Sequence, residues 1–523
     1  MPRFRRFHLF SLPVVLVLML DQTQALAGDW HQQSLAELRQ AQIEGAVSAE
    51  ELTRHFLDRI EALDGDLASI LALDPTALDQ ARTLDRHRVE GGKPGPLHGI
   101  PILLKDNIET RDQPTTAGSL ALEHNHTRRD APLVANLRAA GAVILGKTNL
   151  SEWANFRGQR SSSGWSALGG QTRNPFDLTR TPCGSSSGSG VAVAAGFAPV
   201  AIGTETNGSV VCPATANGNV GIKPTVGLVS RTHIVPISHT QDTAGPMAMN
   251  LADATRVLAA MMGPDPADAV TADQPEWERA DLLAALDETS LEGMRIGVLR
   301  GLADFHPQVI EHYDQAVQQL AEAGAEVIDD ISLAWPDGFW ADTYTVLTHE
   351  FRHTLNAYLA GLPDERLSQL DLAALIEFNR EQAEVQMPWF GQEHFERAEA
   401  TDGIESQDYL AALERIRNAT REDGIDRLLA DYQLDVLVSP TGGPAWKIDW
   451  INGDHFGGGS ATPAAVSGYP AVTVPMGMIH GLPVGLSFFA GRYSEPTLIR
   501  AANAFERERG SLLVPQLRSG PIP

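Results

Sequence analysis

Three short segments bring together residue types that could do chemistry. Thr181-Pro-Cys-Gly-Ser-Ser-Ser-Gly-Ser-Gly190 is too rich in glycine and serine for a core element, yet it runs straight into the small apolar residues Val191 to Ala195. A loop of this kind opening a helix presents N–H groups and hydroxyls at the positive end of the helix dipole. A flexible linker has the same composition, but linkers do not usually lie between two buried apolar segments. Gly203-Thr-Glu-Thr-Asn-Gly-Ser209 follows the apolar run Val200 to Ile202. A turn at the end of a buried strand can hold a serine nucleophile out from the sheet, with N–H donors beside it. Gly99-Ile-Pro-Ile-Leu-Leu-Lys105-Asp-Asn107 ends an apolar run on a lysine. Desolvation there lowers the lysine pKa and makes a neutral amine available as a base, whereas the ordinary alternative is an end-of-strand lysine that reaches water.

The elements that must position these residues are legible around them. Ile102-Leu104, Ala142-Leu145, Val200-Ile202, Ile296-Leu299 and Val436-Val438 read as buried strands, and Val309 to Gly324 as a helix between strands. This alternation predicts an α/β domain built on a largely covered sheet. Before it, Ser34-Leu-Ala-Glu37 and Ser48-Ala-Glu-Glu51 are capping boxes, and Gly45 is placed to end the first helix. Residues 28–95 are therefore expected to be helices packed on a main body at 96–520. Within that body, residues 264–425 form a more charged, helical segment that shapes the cleft. Strand signals resume near Leu434, so the core closes with the last hundred residues and the domain is interwoven.

At the N-terminus, Arg3, Arg5 and Arg6 precede the apolar run Leu9 to Leu20, followed by Ala25-Leu-Ala27. Residues 1–27 read as a signal peptide, too short in their apolar run to span a bilayer, so the expectation is an exported, periplasmic or secreted protein without a membrane anchor. Apolar residues at 43 % and charged residues at 20 % argue for a packed globular core. The formal charge of −26 argues against nucleic acid as a partner. Cys183 and Cys212 are the two cysteines. Buried free cysteine is the expected state among Gly, Pro and Val, with a single bond left open by the compartment.

Taken in order, Gly99 to Asp106, Gly184-Ser-Ser-Ser-Gly-Ser189, Gly203 to Ser209, Pro213-Ala, Gly218 to Ser230 and Asp242-Thr-Ala-Gly-Pro246 resemble the amidase signature family of serine hydrolases. The likeness extends from about residue 34 to about 507. It implies a single large α/β domain whose central mixed sheet is covered by helices on both faces. It also implies a Ser-Ser-Lys catalytic set: Ser209 is the acylated nucleophile, Ser185 the relay in a cis peptide bond after Gly184, and Lys105 the base. Thr206, Asn207 and Gly208 match the family's oxyanion loop. Asn207 departs from the Gly found in many relatives, at a position where Asn tolerates unusual backbone angles.

Other schemes fit less well. His233, His239 or Asp242 could complete a Ser-His-Asp triad, but Ser209 lies in no G-x-S-x-G elbow, and the histidines read as cleft or surface side chains. His124-x-His126 lacks a carboxylate at metal-ligand spacing. Neither metal nor organic cofactor is implied. After the nucleophile, Val211 and Cys212 stand where many relatives carry an Arg that can hold an acidic group. With the leader, this makes the chain similar to the exported peptide amidase branch, which removes C-terminal carboxamides from peptides. The expected partner is thus a small peptide or carboxamide substrate, with no obligate protein partner. The alternatives are a catalytically inactive binding protein on the same fold and an amidotransferase-type subunit.

Overall fold

Apolar runs bounded by Gly and Pro become the strands of one mixed sheet in the computed structural model, which describes residues 29–302, 306–510 and 513–517. The leader read at residues 1–27 lies outside the described residues. The strands are β1 (Ile70–Leu73), β2 (Pro101–Lys105), β3 (Val143–Thr148), β4 (Val200–Glu205), β5 (Val220–Lys223), β6 (Thr243–Ala248), β7 (Arg295–Leu299), β8 (Glu326–Ile331), β9 (Val436–Pro440), β10 (Ala471–Ile479) and β11 (Leu482–Phe489). They are hydrogen-bonded in the order β1-β3-β2-β4-β6-β5-β10-β11-β9-β7-β8. β2 runs parallel to both β3 and β4, whereas β4 and β6 are antiparallel. The five expected strands are present.

Helices cover both faces. The main ones are α1 (Leu35–Glu44), α2 (Ala49–Leu63), α3 (Ser187–Ala194), α4 (Val211–Ala216), α5 (Leu251–Met261), α6 (Pro307–Glu322), α7 (Phe339–Ala360), α8 (Gln407–Thr420) and α9 (Glu495–Arg509). Strand alternation divides the side chains between the two layers. In β10, Thr473 Oγ1 bonds Thr215 of α4 at 2.9 Å, while its neighbours Val472 and Val474 join the core that contains Phe505 of α9. Both capping boxes form, and Gly45 closes α1 in the left-handed region. Among the described residues, no helix is long and apolar enough to cross a membrane.

Within 264–425 the chain does two things. β7, α6 and β8 extend the sheet, and α7 and α8 then pair as a helical lobe. Phe351, Leu355 and Leu359 of α7 share a small core with Trp153, Phe156, Val235 and Ile237 from loops of the main body. Arg157 reinforces the join. It is fully buried, paired with Glu152 at 3.2 Å, and its guanidinium lies 4.2 Å from the centre of the Phe390 ring.

Candidate active site

The site forms where β2 and β4, adjacent and parallel, end on the same side of the sheet. Lys105 is the last residue of β2 and is wholly buried. Its Nζ lies 2.7 Å from Ser185 Oγ, 2.8 Å from Thr204 Oγ1 and 3.3 Å from the Thr204 carbonyl. Burial lowers the Lys105 pKa from 10.5 to about 7, against the opposing pull of Asp242 and Glu205. At that value a neutral amine is well populated near neutrality. Its two N–H groups match the two Thr204 oxygens, and its lone pair is left for the Ser185 hydroxyl.

Ser185 is buried and follows a cis Gly184–Ser185 bond. The loop is stapled to β4 through Ser186, whose Oγ donates to the Thr204 carbonyl at 3.0 Å and accepts from the Thr204 N–H at 3.1 Å. Gly203 permits this approach, since a Cβ there would stand 2.7 Å from Ser186 Oγ. Ser187 closes the other side by donating to the Cys183 carbonyl at 2.7 Å. Ser209 is brought alongside because its carbonyl accepts the Ser186 N–H at 3.2 Å. Its side chain is half-buried, and its hydroxyl has no hydrogen-bond partner among the described residues.

The meeting of these two loops accounts for one correction. Cys183 and Cys212 were expected as free buried thiols, but they are joined in a disulfide with Cα atoms 6.0 Å apart. The contact between Ser186 and Ser209 draws the start of α4 against the serine loop, and sequence spacing alone does not reveal that approach.

The turn before Ser209 is organised by Glu205, to which no role was assigned from sequence. Its buried carboxylate accepts the N–H groups of Gly208 at 2.9 Å, Val210 at 2.7 Å and Val211 at 3.0 Å. Of the three residues expected to line an oxyanion hole, Gly208 therefore has its N–H already engaged. Gly208 sits at φ +90, a conformation that a side chain would strain. Asn207 accepts from Thr462 Oγ1 at 3.3 Å, and Thr206 Oγ1 donates to Asp242 at 2.6 Å. Burial pushes Asp242 up to about 6, against its hydrogen bonds from Thr206, Ser238 and Ile237 and the charge of Arg231.

A cavity of about 630 Å³ adjoins the turn, with Thr204, Thr206, Asn107 and Asp242 on one side and His353 and Tyr358 of α7 on the other. His233 and His239 lie on its rim, as expected of cleft side chains. His124 and His126 are exposed on a loop. Among the described residues, no group of three or more His, Cys, Asp or Glu could hold a metal ion.

The arrangement is suited to nucleophilic attack on a carbonyl. The family described as Amidase matches residues 51–499. A probable amidase of Arabidopsis thaliana is 36% identical over 96% of this chain and 97% of its own length. A glutamyl-tRNA(Gln) amidotransferase subunit of Acidothermus cellulolyticus is 38% identical over 90% of this chain and 93% of its own. The crystal structure of native peptide amidase from Stenotrophomonas maltophilia is similar with a TM-score of 0.89 and 47% identity, covering 94% of this chain and 99% of that one.

Proposed function

This chain belongs to the amidase family and is an amide-hydrolysing enzyme, and from that premise we propose that it removes C-terminal carboxamides from peptides through an acyl-enzyme on Ser209. Ser185 relays the Ser209 proton toward neutral Lys105 as the hydroxyl attacks the carboxamide carbon. The tetrahedral oxyanion is met by backbone N–H groups of the Thr206-Ser209 turn, where the donors of Thr206 and Asn207 remain once Glu205 has taken that of Gly208. The proton returns to the departing nitrogen, which leaves as ammonia, and the same groups activate the water that frees the acid. The observation that carries this reading is the 2.7 Å contact of a buried, pKa-depressed Lys105 with Ser185, one loop away from Ser209.

The peptide substrate is supported by the similarity to a peptide amidase and by the residues after Ser209. Cys212 is committed to a disulfide and Val211 is apolar, so an acidic group near the scissile carbon would be desolvated without a fixed partner. Export is supported by the leader, and an oxidising compartment suits the Cys183–Cys212 bond. An amidotransferase subunit is the second reading, since such subunits are among the relatives. Incubating the purified chain with a peptide and with its C-terminal amide, then weighing the products, tests the proposal. Conversion of the amide to the acid is expected. Cleavage of internal bonds with the terminal amide intact would remove the substrate assignment and leave the Ser-Ser-Lys chemistry standing.

A further inference from the structure

Glu350, in the middle of α7, is a fully buried carboxylate. Among the described residues no lysine or arginine lies within ion-pair distance of it, and the nearest basic group is the partly exposed His239, 3.7 Å away. Hydroxyls and one amide hold the carboxylate instead. Oε2 accepts from Ser238 Oγ, from Thr240 Oγ1 at 3.0 Å and from the Thr240 N–H at 3.3 Å. Oε1 accepts from Tyr409 of α8 at 2.9 Å. The loop held in this way turns back on itself: the N–H groups of Ile237 and Ser238 both donate to Asp242 Oδ2 at 2.8 Å. The other oxygen of Asp242 accepts from Thr206 Oγ1, three residues before Ser209.

Desolvating a buried carboxylate is costly, and the hydroxyl and amide donors around Glu350 offset that cost. All but one of its donors come from a single loop, and that loop touches the turn before Ser209. We propose that Glu350 is a positioning residue: from the helical lobe it fixes the 237–242 loop, and through Asp242 and Thr206 that loop sets the turn that carries Ser209. The inference rests on the reading of Ser209 as nucleophile. The loop also walls the cavity beside the turn, together with His353 and Thr354 of α7. A group filling that cavity therefore meets the same coupled unit.

The test compares Glu350→Leu and Glu350→Gln in the full chain, with an amide that the parent hydrolyses. Glu350→Leu lowers kcat at least about tenfold with KM within about twofold, on the scale by which small misplacements far from the chemistry slow catalysis, and it also lowers the melting midpoint because the Ser238, Thr240 and Tyr409 donors lose their acceptor. Glu350→Gln keeps acceptors for Ser238 and Thr240 and retains kcat within about threefold. Thr206→Val cuts the same chain at its far end, so adding Glu350→Leu to it costs little more. A folded Glu350→Leu protein with the parent kcat overturns the proposal, as does a fully additive double variant. If Glu350→Leu does not fold, the Ser238→Ala/Thr240→Val pair cuts the same bonds from the loop side, and an unchanged kcat there overturns it equally. Ser209→Ala is measured alongside. Activity in that variant would remove the nucleophile reading itself, a result distinct from a fully active Glu350→Leu enzyme.

Discussion

Lys105 owes its lowered pKa to losing water. Its hydrogen-bond partners are neutral oxygens, so nothing nearby compensates the ammonium fully and the proton is held weakly, at about 7. On the proposed reading the free enzyme acts with Lys105 neutral. Its kcat/KM should therefore be about half-maximal near pH 7, fall about tenfold per pH unit well below it and level off about one unit above it, as a pH profile will show. Asp242 raises the Lys105 pKa, so Asp242→Asn should move that acid limb to lower pH; a limb that stays in place would detach Lys105 from it. Ser209→Ala and Lys105→Ala should each remove nearly all turnover and Ser185→Ala most of it. Combining them should add little, because residues acting as a unit fail together. Single-turnover rates measure this directly.

Among the elements, the serine loop and α4 are tied by the disulfide, which encloses a loop of 29 residues. A crosslink of that span restricts the unfolded chain by ~3.5 kcal/mol, and for a chain of this size that corresponds to roughly 3 °C in melting temperature. The Cys183→Ser/Cys212→Ser variant should melt lower by about that amount. An unchanged melting curve would mean that the bond adds no stability. The strands that sequence revealed were those whose apolar runs are buried on both faces, such as Val200-Ile202 and Val436-Val438. Among those it missed, β11 is just as buried but is interrupted by Pro483 and Gly485, and two others carry other marks. β8, Glu-Val-Ile-Asp-Asp-Ile, is a charged edge strand, and β6 holds Pro246 inside its run. Of the site, Lys105, Ser185 and Ser209 stood out through motifs and local context. Glu205 lies inside the Gly203-Ser209 motif with no local sign of its role, and nothing in the sequence marks Glu350. Its partners on the loop are about 110 positions away in the chain and Tyr409 is 59 away, and nothing in the local pattern of α7 distinguishes a buried glutamate from a solvated one.

For the whole molecule, the site is assembled from one chain: the end of β2, the serine loop that opens α3 and the turn after β4 supply the proposed catalytic groups, and α7 closes the cavity. The purified chain alone should therefore hydrolyse an amidated dipeptide, as an amidotransferase subunit dependent on partners would not. An inactive chain restored by a partner protein would reverse that assignment. The strand order has a consequence of another kind, in the timing of folding. β10 and β11, residues 471–489, are the last strands made, yet they lie in the middle of the sheet, between β5 and β9. Without them, the strand order leaves β5 and β9 with no neighbour between them, so the two parts of the sheet cannot join. The full sheet can therefore close only once residues 471–489 have been made.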